Sequence, residues 1–144
     1  MRCYFLVLAK DWAHDAETQN ISIFHMVEEI QLALDQPIIV PDLCVVSGWE
    51  REDEELPGRY EVEYTVRRLG HSEPAVTMSL EISLEGPRYR TRAYGLPLTG
   101  TGAFRIEARS RAAGSEQWKT SDQSWPLNVT LGAPTAPSSV SAVE

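Results

Sequence analysis

Asp11, His14, Asp15 and Glu17 stand within seven residues of one another and combine carboxylates with an imidazole. Three carboxylates and an imidazole could hold a divalent cation, the equipment of a metal-dependent enzyme. Their spacing matches no established ligand pattern. Aspartate also favours turns for its own reasons, because its side chain bonds to nearby backbone. A polar turn is therefore the competing reading of the same four residues.

Nucleophilic chemistry has fewer candidates. Cys3 and Cys44 both lie in apolar, strand-like runs, where a free cysteine behaves as a small hydrophobe. His25 also sits in an apolar run, a setting more typical of a core histidine than of a base with a nucleophile in reach. No serine stands in a nucleophile elbow, and no glycine-rich phosphate loop follows a strand-like segment. The expectation is a protein that is not an enzyme and uses no cofactor.

Binding residues are better represented. Arg88, Arg90 and Arg92, joined by Arg105, Arg109 and Arg111, could form an outward stripe that grips an acidic partner. The 4 tryptophans include Trp12 and Trp49, which adjoin polar turns and are the candidates for an exposed ligand or glycan platform. Core packing is the competing use of such rings.

Charge narrows the partner class. The formal net charge is −8, and it is uneven. Residues 1–57 carry 3 Lys/Arg against 12 Asp/Glu, whereas residues 58–144 carry 10 against 9. An acidic surface repels phosphate backbones, so nucleic acid is not the expected partner. The apolar stretch Cys3–Ala9 is short and runs straight into Lys10 and Asp11, without the small-residue site of a signal peptide. No apolar run approaches the ~20 residues of a membrane-spanning helix. A cytoplasmic protein with no membrane partner is expected.

The elements that would position these residues read as strands. Residues 3–9 are a continuous apolar run, the pattern of a strand covered on both faces or of a short helix core, and the bulk of Tyr4, Phe5 and Val7 favours the strand; the run 43–49 is another strand. Ile21–Val27 is a further strand-like run, and 28–36 has room for a short helical turn ended by Pro37 and Pro41. Tyr60, Val62, Tyr64 and Val66 alternate with polar residues, as do Val76 to Leu84 and Phe104 to Ala108. A last strand runs from Trp125 to Leu131, with Pro126 suited to an edge. Gly86-Pro87 predicts a type II′ hairpin that sets Glu85 opposite Arg88, Ser83 opposite Arg90 and Glu81 opposite Arg92. Short strands at this spacing predict an all-β fold, an immunoglobulin-like antiparallel sandwich of about seven to eight strands. One domain over 1–131 and a flexible Ala/Pro/Ser/Thr-rich tail over 132–144 complete the expectation.

Leu8-Ala9-Lys10-Asp11-Trp12-Ala13, then Asn20-Ile21-Ser22-Ile23-Phe24, and later Gly102–Ile106 and Trp125–Val129, resemble a family of uncharacterised bacterial proteins catalogued as a domain of unknown function. Gln19 stands where that family favours lysine, and Ile23 where it favours glycine. The resemblance implies a compact β-sandwich, bacterial and cytoplasmic, and brings no catalytic residues. The leading expectation is a non-enzymatic module that binds another protein or itself. A small-ligand or glycan module built on Trp12 and Trp49 is the alternative, followed by a metal-dependent enzyme.

Overall fold

The alternating and apolar runs become nine strands in the computed structural model, which describes residues 1–133. They are β1 (Arg2–His14), β2 (Ile21–Met26), β3 (Glu29–Leu32), β4 (Ile38–Glu50) and β5 (Gly58–Arg68). β6 (Val76–Leu84), β7 (Arg88–Leu98), β8 (Gly102–Ala112) and β9 (Lys119–Leu131) follow. Of the expected tail, 134–144 lies outside the described residues. No helix is long and apolar enough to cross a membrane among the described residues.

Two sheets pack face to face, a four-stranded one in the order β2-β1-β4-β7 and a five-stranded one in the order β3-β9-β8-β5-β6. The fold is an all-β sandwich. Every pairing is antiparallel except β3 with β9. Alternation places one face of each strand in the shared core: Leu6, Leu8, Val45 and Trp49 from the first sheet meet Val62, Tyr64, Ile106 and Leu127 from the second.

One polar cluster is buried among these side chains. Ser47 Oγ lies 2.6 Å from Tyr64 Oη and 2.7 Å from Thr91 Oγ1, and Tyr64 Oη lies 2.5 Å from Thr91 Oγ1. The Trp49 indole N–H donates to Ser47 Oγ at 2.7 Å. Three hydroxyls in a ring can each donate once and accept once, so the cluster satisfies itself. Tyr64 belongs to β5 and the other three to β4 and β7, so the ring ties one sheet to the other.

The structure corrects several expectations. β6 and β7 do not form a hairpin: β6 pairs with β5 in one sheet and β7 with β4 in the other. A type II′ turn needs positive φ at its first central residue, and Gly86 is not among the positive-φ residues. A residue before proline is pushed to extended backbone, so the chain runs onward from sheet to sheet instead of reversing. The charges follow: Glu81 accepts from Arg59 Nε at 2.7 Å, and Arg88 lies 3.6 Å from Glu50.

The short helical turn expected over 28–36 is instead β3, which brings the strand number to nine among the described residues. A helix that short is marginal in water. As a strand the segment buries Leu32 and completes the flank of β9, with Asn128 N–H donating to Glu28 O at 2.8 Å. β4 begins at Ile38, ahead of Pro41, because its ladder to β7 is interrupted between Val40 and Cys44 and proline falls in that irregularity. β9 is interior, between β3 and β8, yet β3 pairs with it only from Asn128 onward and leaves the flank at Pro126 open.

The β1–β2 turn is closed by its own aspartate. Asp15 Oδ1 accepts the backbone N–H groups of Glu17 at 2.8 Å and Thr18 at 2.9 Å, and Gln19 takes φ 60°. A left-handed conformation costs an L-residue roughly 1–2 kcal/mol, partly offset when glycine's greater unfolded-state freedom is counted. Gln19→Gly should therefore raise stability by about 0.5 kcal/mol, read as a higher urea midpoint. Gln19→Ala, which keeps the strain, should show no gain.

Candidate functional site

Each of the two long apolar runs serves both faces of the four-stranded sheet. Leu6, Leu8, Leu43 and Val45 point into the sandwich, whereas Ala9, Cys44 and Val46 are buried on its outer side. Phe5, Val7, Trp12 and Ile23 cover that outer cluster and stay half-buried. A β-bulge between Cys3 and Phe5 sets Tyr4 beside Phe5, ring centroids 5.2 Å apart and edge to face. Both rings lie over Gly48, where any Cβ would collide with them. The sheet thus carries an apolar, aromatic outer face.

β7 adds the charge. Arg88, Arg90 and Arg92 lie opposite Glu50, Gly48 and Val46 of β4, on this outer side. The Arg88 guanidinium sits 5.5 Å from the Tyr4 ring centroid and pairs with Glu50. Arg92 lies 5.3 Å from both the Trp12 and the Tyr94 centroids, and Arg90 Nη1 donates to Gln19 O at 3.2 Å. Neither Arg90 nor Arg92 forms an ion pair among the described residues. Arg92 Nη1 also lies 3.4 Å from Tyr94 Oη, and each guanidinium carries five N–H donors, more than these contacts use, which leaves donors for a carboxylate.

The expected arginine stripe is therefore two sets on opposite sheets. Arg105, Arg109 and Arg111 are on β8 in the five-stranded sheet. Arg109 Nε donates to Glu63 at 2.8 Å, Arg111 pairs with Glu61, and both guanidinium groups lie 4.4 Å from the Trp118 ring centroid. Arg59 with Glu81 and Arg67 with Glu107 continue the pattern. That outer face is largely neutralised by its own carboxylates, and exposed pairs of this kind contribute about 0–1 kcal/mol each.

The tryptophan platform is corrected in half. Trp49 is 1% exposed and belongs to the core, its indole N–H tied to Ser47. Trp12 is half-buried, with Arg92 over its ring and His14 stacked 6.3 Å away. Of the metal candidates, Asp15 spends its carboxylate on the turn, and Asp11 Oδ1 accepts the Trp12 N–H at 2.8 Å. Those turn bonds hold the Asp15 carboxyl below its ordinary range, Thr18 N–H contributing most. No group of three or more His, Cys, Asp or Glu is placed to hold a metal ion among the described residues. Both cysteines are free and buried.

No known family model matches the chain, and no curated protein is significantly similar to it. The site stands on its geometry.

A cleft of about 1130 Å³ opens elsewhere, where the chain crosses from β2 to β3. Val27, Leu43, Phe104 and Leu127 line it, with Lys10, His25 and Asp42 also in the wall. His25 has φ 54°, a kink inside β2 one residue before the strand ends at Met26. The aromatic and apolar residues of the outer face, Phe5, Val7, Val46, Ile23 and Tyr94, were not singled out by residue type. Their signal lay in the doubly apolar runs, since a strand apolar on both faces needs cover on both.

Proposed function

We propose that the chain is an immunoglobulin-like sandwich that works without catalysis, by binding an acidic segment of another protein on the outer face of its four-stranded sheet. The strand connectivity supports the fold assignment: the chain crosses between sheets at β2–β3, β3–β4, β4–β5, β6–β7 and β7–β8, and its N-terminal part is shared between both sheets, with β3 parallel to β9. The resemblance of the N-terminal segments to uncharacterised bacterial β-sandwich proteins supports a bacterial, cytoplasmic setting.

The observation that carries the binding role is the pair Arg90 and Arg92. Two cations without carboxylate partners stand over an apolar, aromatic sheet face in a protein of net charge −8. Aromatic rings and arginine are the residue types enriched at interface centres. An acidic partner would supply carboxylates to the arginines and apolar side chains to Phe5, Val7 and Ile23.

The test is affinity capture from the host with the wild-type chain and an Arg90→Glu, Arg92→Glu variant, followed by titration of the purified partner. Charge reversal should weaken binding at least about tenfold, equivalent to 1.4 kcal/mol, and the wild-type affinity should fall with added salt. A partner bound equally well by both proteins would remove this face from the function.

A further inference from the structure

The sandwich has four sheet edges, and three are blocked by recognisable devices. β2 carries a positive-φ kink at His25, one residue before its end at Met26. β3 is only 4 residues long. β7 carries three arginines, the positive-φ Gly95 and Pro97. Short length, charge, proline and local kinks are how proteins keep edges from pairing with other chains.

β6 has none of these. It pairs with β5 over nine consecutive positions without a register shift, and it contains no proline, glycine, lysine or arginine. Its single charge, Glu81, is already matched by Arg59 on β5. Val76, Met78 and Leu80 are only half-buried, although they continue the inward row that Ile82 and Leu84 bury fully. An edge of this kind leaves backbone donors and acceptors open to a further strand.

We propose that the occupant of this edge is β6 of a second copy, paired antiparallel about a two-fold axis at Leu80. The strand is its own complement in that register. Glu81 faces Ser79 of the other copy, Ser83 faces Thr77, Met78 faces Ile82, and Val76 faces Leu84. No like charges stand opposite, and the half-buried Val76, Met78 and Leu80 of each copy gain cover. The two five-stranded sheets become one ten-stranded sheet, an isologous contact that closes at two copies. This interface lies on the other sheet from Arg90 and Arg92 and stands or falls independently of the acidic-partner reading.

Sedimentation velocity of the full chain across the micromolar range tests it, with two variants of the exposed Ser79. The wild type should pass from the 16.1 kDa chain to twice that mass as concentration rises. Ser79→Glu sets two carboxylates opposite the Glu81 groups and should raise the dissociation constant at least about tenfold. Ser79→Lys sets two cations there instead and should tighten the dimer severalfold. Amide exchange in β6 of the wild type, slowing as concentration rises, reads the same contact without any substitution. A wild type that stays monomeric at high micromolar concentration, or a dimer untouched by Ser79→Glu, overturns the proposal. A dimer weakened by both substitutions overturns the Leu80 register.

Discussion

Ser47→Ala should destabilise the protein by about 2–4 kcal/mol, well beyond the loss of one ordinary hydrogen bond. Ser47 Oγ is the acceptor for the Trp49 indole N–H and a neighbour of both Tyr64 Oη and Thr91 Oγ1. Without it, Tyr64 and Thr91 still bond each other, but the indole N–H has lost its partner in a residue 1% exposed. An orphaned buried donor costs about 1–3 kcal/mol, and the lost bonds of the ring add to that. Urea denaturation reads the change directly as a shift in midpoint with the slope preserved. The double variant Ser47→Ala, Trp49→Phe removes donor and acceptor together, so its cost should fall short of the two single costs by about 1 kcal/mol. A Ser47→Ala protein within 0.5 kcal/mol of wild type would show that the ring contributes nothing net. The ring bears on function as well, because Ser47 and Thr91 stand on β4 and β7. Those strands carry the arginine face on their other side.

Strand positions were legible because alternation is a local signal. Tyr60, Val62, Tyr64 and Val66 are all buried, as are Phe104, Ile106 and Ala108, and period-2 patterning required that. Pairing was not legible, because a strand alternates in the same way whichever neighbour it meets. Glu85 with Arg88 and Glu81 with Arg92 looked complementary across Gly86-Pro87, yet Arg59 pairs with Glu81 and Glu50 with Arg88, from strands distant in sequence. Proline at the second turn position held the missing clue, since it keeps the preceding residue extended. β3 escaped notice for another reason: four residues with one buried leucine carry too little pattern to be distinguished from a helical turn.

The binding face was legible only in its parts. Arginines at 88, 90 and 92 showed themselves by spacing, and their separation from those at 105, 109 and 111 depended on which sheet each strand joined. Trp49 looked exposable because Glu50 and Arg51 follow it, but parity with Leu43 and Val45 already placed it inward. The apolar cover on the outer side came from residues 3–9 and 43–49 read together. Neither run reveals the face alone, since each is as compatible with two buried sides as with one buried and one docking side.

Alkaline pH should weaken the fold well before the arginines titrate. Burial pushes the Cys3 thiol from its ordinary value of 9.0 up to about 11, and its S–H donates to Phe5 O at 3.1 Å, a bond only the neutral thiol can make. An acid whose folded value is raised favours folding in its neutral form. Its contribution is complete below pH 9 and is lost as pH climbs from about 9 to about 11. A displacement of that size corresponds to about 2–3 kcal/mol. Cys44 is raised by burial in the same direction, and so is Tyr64, whose phenol must stay protonated for the ring with Ser47 and Thr91 to keep its donors. Urea midpoints measured from pH 7 to 11 should therefore hold level to about pH 9 and then fall. Cys3→Ala removes the first of these titrations and should delay the decline, at the cost of a small cavity felt equally at all pH values. A wild-type curve that stays flat to pH 11, or one that Cys3→Ala leaves unchanged in shape, would show that the Cys3 thiol is not held neutral by the core.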